Sequence, residues 1–143
     1  MTVKWILEQK GRDVVSIGPE ASVGQAIDLL EKHKIGAVVV VDEQLSVLGI
    51  VSERDIVRIL ATKGAGVLGE PAGEHMTRHV IVCGEHHSID WLMEQMTEHR
   101  FRHIPVTVND KLAGIVSIGD AVKQKLALAE SETAQMRQYI AAG

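Results

Sequence analysis

Two short stretches carry the residue types that could do chemistry. "GIVSERD" (Gly49–Asp55) and "GIVSIGD" (Gly114–Asp120) each bring an apolar run to a serine, Ser52 or Ser117, with an aspartate, Asp55 or Asp120, one helical turn on. A hydroxyl and free backbone N–H groups at a helix start can hold phosphate or ribose. An aspartate beside them can accept from a ribose diol, as in dinucleotide-binding folds. The same S-x-x-D spacing is also a capping box, in which the two residues satisfy each other's backbone N–H groups. Two copies in corresponding places, each after Gly-Ile-Val, weigh toward function.

Other candidate chemistry is weaker. Gly64, Gly66 and Gly69 match G-x-G-x-x-G, but a pyrophosphate loop needs a strand before it and a helix after it. Here Ile56, Ile59 and Leu60 form a helical stripe just before Gly64, which suits a helix C-cap. The stretch reads as a linker. "EHH" at Glu85–His87 has no second Cys/His cluster at ligand spacing, so a surface loop is expected there and no metal site. A lone Cys83 excludes an intrachain disulfide and fits an apolar role in a reducing, cytoplasmic setting. No nucleophile–base pair stands out, so an enzyme is not expected.

Composition narrows the partners. A net charge of -4 argues against nucleic acid, and four aromatic residues (Trp5, Trp91, Phe101, Tyr139) leave little for base stacking. The densest apolar run, Ala37–Val41, is far too short to span a membrane, and "MTVKWILEQK" has no signal-peptide core. At 45% hydrophobic and 24% charged, the chain has the balance of a globular protein.

The elements that must position the two motifs come from an internal repeat. "VVSIGPEASVGQAIDLLEKHKIGAVVVV" from Val14 returns as "VIVCGEHHSIDWLMEQMTEHRFRHIPVT" from Val80, and "LGIVSERDIVRIL" from Leu48 returns as "AGIVSIGDAVKQKL" from Ala113. Each copy opens with a short apolar strand, Val14–Ile17 or Val80–Cys83. A helix capped by Ser22 or Ser88 follows, with apolar positions at i, i+3, i+4 and i+7. A buried-type strand and a hairpin partner then lead into the second helix. The order is β-α-β-β-α, twice, and neither unit closes a core well alone. The expected class is therefore α/β (α+β), a pseudo-twofold pair of such units with a C-terminal helix. Residues 1–66 form the first unit with an N-terminal helix and linker, 67–128 the second, and 129–143 a helical extension. Val3, Ile6 and Leu7 suggest that the N-terminal helix covers the first repeat. Val122, Leu126, Ala129, Thr133, Met136 and Ile140 form a heptad seam, either laid on the chain's own domain or paired across a dimer.

Tandem units of this order, each with Gly-h-h-Ser-x-x-Asp, resemble a cystathionine-β-synthase (CBS) domain pair, or Bateman module, over roughly Lys4–Leu128. The resemblance implies two related clefts that bind adenosine-containing ligands: AMP by preference, or ATP, ADP, NAD(H) or S-adenosylmethionine. It implies a regulatory homodimer acting on a partner protein; the competing reading is an interaction module whose motifs only cap helices. By the same resemblance the first cleft is formed by Val14, Val15, Gly36, Ala37, Val38, Ser52 and Asp55. The second is formed by Thr77, Val80, Ile81, Arg102, His103, Ile104, Pro105, Ser117 and Asp120. Arg54, preceding its own repeat's Asp, would reach across to that second cleft. Arg102 and Arg54 would then converge on Ser117/Asp120, where Gly36 and Gly119 leave the first cleft without cations. The second cleft is accordingly the expected phosphate site, with His103 adding partial charge near pH 7.

Overall fold

The computed structural model describes residues 1–142; Gly143, the last residue of the expected extension, lies outside them. The elements run α1 (Val3–Lys10), β1 (Ser16–Ile17), α2 (Val23–His33), β2 (Ala37–Val41), β3 (Val47–Ser52), α3 (Glu53–Lys63), then two 3-10 turns (Ala65–Gly69 and Ala72–Glu74), and α4 (Ile89–His99), β4 (His103–Val108), β5 (Lys111–Ser117) and α5 (Ile118–Ala142). The class is mixed α+β, as the repeat implies.

In the first repeat β1 pairs in parallel with β2, and β2 pairs antiparallel with β3. Every residue of β2 is buried because both faces of the strand are covered. Val38 and Val40 face α2 and α3, in a core with Val23, Ala26, Leu30, Val51 and Ile56. Ala37, Val39 and Val41 face the other way, toward Val80, Leu112 and Ile115 of the second repeat. Helix starts follow the serines: Ser22 Oγ accepts from Gln25 N–H and Ser88 Oγ from Trp91 N–H. Gly64 ends α3 at φ 75°, donating to Leu60 O, so the glycine-rich stretch is the helix stop and linker its pattern suggests.

Two expectations are corrected. The strand expected at Val80–Cys83 does not form; only Cys83 pairs with β4, opposite Val106. In the first repeat Val39 N–H donates to Val15 O at 3.2 Å. The matching residue of the second repeat is Pro105, which has no N–H, so the ladder loses that bond and the second sheet stays two-stranded.

The N-terminal helix covers the second repeat, not the first. Val3, Ile6 and Leu7 are buried against Leu92, Met96, Ile104 and Val116, where the two-stranded sheet needs another apolar layer. The linker does the reverse. Ala72 and Met76 enter the first repeat's core, and Thr77 exchanges backbone bonds with Ile50 (N→O 2.8 Å, returned at 3.0 Å). The segment preceding each repeat therefore packs on the other one, across the expected boundary at residues 66 and 67.

Finally, only the start of α5 packs on its own domain, through Ala121 and Gln124; from Ala129 to Ala142 every residue is exposed. No helix among the described residues is long and apolar enough to cross a membrane.

Candidate functional site

Strand β3 hands directly to α3 at Ser52, which fixes the motif's geometry. Asp55 N–H donates to Ser52 Oγ at 3.2 Å, and Ser52 N–H donates to Asp55 Oδ2 at 2.9 Å. Asp55 is buried, and Thr77 of the linker donates its hydroxyl to both carboxylate oxygens at 3.2 and 3.3 Å. Arg58, one turn further along α3, reaches Oδ1 at 3.2 Å. These groups form one wall of a cleft of about 340 Å³ between the repeats. Gly36 lies at its base, with its carbonyl accepting from Glu53 N–H at 3.0 Å. Ile50, Val80 and Phe101 supply apolar surface, and Arg100, Arg102 and His103 of the second repeat close the far side. Four guanidinium groups, from Arg54, Arg58, Arg100 and Arg102, face two carboxylates, Glu53 and Asp55, so the cleft carries a positive surplus suited to a phosphate.

The second motif is built alike and finished differently. Ser117 N–H donates to Asp120 Oδ2 at 2.8 Å, and Asp120 N–H to Ser117 Oγ at 3.1 Å. Here Lys10, at the end of α1, puts its ammonium on Asp120 Oδ2 at 2.7 Å and on Ile115 O at 2.9 Å. Ile115 is the counterpart of Ile50, whose carbonyl receives Thr77 N–H. One lysine thus makes both contacts that Thr77 makes with its amide and hydroxyl. Burial acts to raise the Asp120 carboxyl, but the Lys10 and Ser117 hydrogen bonds and the Lys10 charge outweigh it and hold it below the usual carboxylate range.

The residues expected at the second cleft are found along the first. Arg54, Thr77, Val80, Arg102 and His103 line the Ser52/Asp55 cleft, although His103 also stands opposite Ser117 in the β4–β5 ladder and Arg102 O accepts from Ile118 N–H at 2.8 Å. The two arginines do converge, but on the first motif. Gly36 stands with Ser52 and Asp55 as expected. The remaining candidates are packing residues: Val38 and Val15 in the first core, Ile81 and Ile104 in the second, Ala37 and Val14 at the interface between repeats. Pro105 is buried in β4. The surroundings of His103 work against the positive charge expected of it. Burial first, then the Lys10 charge and that of Arg102, push its imidazole below the ordinary histidine value against the pull of Asp120 and Glu53. It packs where a Gly36 Cβ would stand, 3.1 Å from the ring.

Sequence reasoning missed Ile50, Glu53, Arg58, Arg100 and Phe101. Arg58 carried a signal, lying one turn from Asp55 on the same helix face. Arg100 and Phe101 sit on the turn into β4 just before Arg102, with Arg100 left-handed at φ 60°.

A family profile described as the CBS domain matches residues 11–62 and again 72–126. The chain belongs to the CBS-domain family. Among solved structures, the CBS-domain-containing protein ATU1752 from Agrobacterium tumefaciens is similar at 50% identity with a TM-score of 0.83, over 87% of this chain and 99% of that one. The CBS domain pair of protein MJ0100, solved in complex with 5-methylthioadenosine and S-adenosyl-L-methionine, is similar at 26% identity and TM-score 0.79, over 89% and 97% of the two chains. The mitochondrial CBS domain-containing protein CBSX3 of Arabidopsis thaliana is 29% identical over 150 residues, 99% of this chain and 73% of that protein.

Proposed function

We propose that this CBS pair is a regulatory module that binds an adenosine phosphate (AMP, ADP or ATP) in the Ser52/Asp55 cleft and modulates a partner protein. The observation that carries the reading is a single cleft joining a buried aspartate, held by Ser52 and Thr77, to four arginines drawn from both repeats. The aspartate suits a ribose diol, the arginines a phosphate chain, and the apolar surface of Ile50, Val80 and Phe101 a base. Because the walls come from α3, the linker and β4, a bound nucleotide would tie the repeats together. It can shift the pair between two states only by its difference in affinity for them. The adenosine-derived ligands of the MJ0100 pair support the class, and the arginines favour its phosphorylated members.

Calorimetric titration and thermal melts with AMP, ADP, ATP, NADH and S-adenosylmethionine test it. Adenosine phosphates should bind and raise the melting midpoint, since a ligand selective for the native state must do so. No heat and no shift with any of them at millimolar concentration would leave the second reading, an interaction module. That reading draws on the reciprocal bonding of Ser52 and Asp55, which is already a complete helix cap.

A further inference from the structure

Helix α5 leaves the body with its apolar stripe uncovered. Ala121 and Gln124 are buried against the rest of the chain, and Lys125 pairs with Asp90 of α4 at 2.6 Å. The stripe lies on another side of the helix. Val122, Leu126, Met136 and Ile140 are 40, 60, 59 and 70% exposed, and with Ala129 and Thr133 they repeat at alternating spacings of four and three. That is the spacing of a coiled-coil seam. An apolar stripe of this length on a projecting helix marks an interaction surface.

The charges beside the seam say what fits it. Lys125 and Glu132 flank one edge, and Glu130 and Arg137 the other. In a parallel, in-register pair each residue of the first edge meets the residue five further along the partner's second edge. Glu132 then faces Arg137 of the partner subunit, joining opposite charges, and Lys125, which already holds Asp90 of its own chain at 2.6 Å, falls beside Glu130 of the partner subunit without repulsion. An antiparallel pair centred on the seam sets Glu130 against its own copy and Lys123 against Arg137, which repel. We infer that α5 pairs in parallel and in register with α5 of a second copy of this chain, forming a coiled coil that holds two modules side by side. This inference does not depend on nucleotide binding.

Single cysteines at Leu126→Cys and Met136→Cys test the orientation under mild oxidation. Wild type is the control, since Cys83 is buried and its thiol is pushed up to about 12. Each variant should cross-link to itself, and a mixture of the two should give no excess of the mixed product. Cross-linking only in the mixture would show an antiparallel pair, and none at all would show no such pair; either overturns the inference. As a second arm, Glu132→Arg or Arg137→Glu alone should weaken the dimer about tenfold by sedimentation, and the double exchange should restore it. Unchanged dimerisation in the single variants, or no recovery in the double, would also overturn it.

Discussion

Lys10 and Thr77 stand ahead of the two repeats in matching roles, and what each donates decides how open its S-x-x-D motif is. Thr77 uses an amide and a short hydroxyl and leaves a cleft beside Asp55, whereas Lys10 lays an ammonium across Asp120 and Ile115 O. Lys10→Ala should therefore expose a second half-site. Calorimetric titration with ATP should show the stoichiometry rise from one toward two per chain, and an unchanged stoichiometry would count against Lys10 as the occupant. His103 supplies a pH signature. Its folded-state value is depressed, so its neutral form favours the native state at and above neutrality. That contribution begins to be lost below the unfolded value of about 6.5 and goes on falling down through the depressed folded value. Denaturation midpoints compared between pH 7.5 and 5.5 should fall more steeply in wild type than in His103→Gln. The motifs themselves were legible in the sequence. Their allocation was not, because a lysine in the last turn of a helix reads as an ordinary complement to the helix dipole. Nothing in its spacing places it against an aspartate at the far end of the chain.

At the scale of elements, two glycines show how closely the preceding segments cross the hairpins. A Cβ on Gly49 would lie 2.5 Å from Thr77 O, and one on Gly114 2.9 Å from Leu7 Cδ2. Gly49→Ala must push the linker backbone away, moving Thr77 off Asp55. A loss of about 1–3 kcal/mol in chemical denaturation, together with weaker ATP binding, is the expected outcome. Native stability and affinity would show that the linker approach matters less than these distances imply. The helices with their Ser22, Ser88 and Ser52 caps, and the hairpins, could be read from periodicity, since local bonds settle them. The strand at Val80–Cys83 could not, because its pairing depends on the partner's N–H and Pro105 withholds it. Gly49 and Gly114 opened the two motifs in the sequence, but the segments that cross them are seen only in the fold.

The whole molecule is held by an exchange: α1 completes the second repeat and the linker completes the first. Leu7→Ala should cost about 2–5 kcal/mol, as for other large-to-small changes in a packed core, and urea denaturation should show both repeats unfolding together. A small loss, or a separate transition for the second repeat, would contradict the exchange. The repeat made the pseudo-twofold pair legible, because matching apolar patterns must bury matching faces. It could not reveal the exchange, since the apolar spacing of Val3, Ile6 and Leu7 fits either repeat. The same exchange sets Lys10 on Asp120 and leaves the arginine-lined cleft beside Asp55, which is why the proposed site lies on the first motif. Titration of ATP into wild type, Asp55→Asn and Asp120→Asn tests the proposed Ser52/Asp55 site most directly. Asp55→Asn should weaken binding by about tenfold or more, the scale of a hydrogen bond to a charged group, and Asp120→Asn should change it little. The reverse order would contradict it.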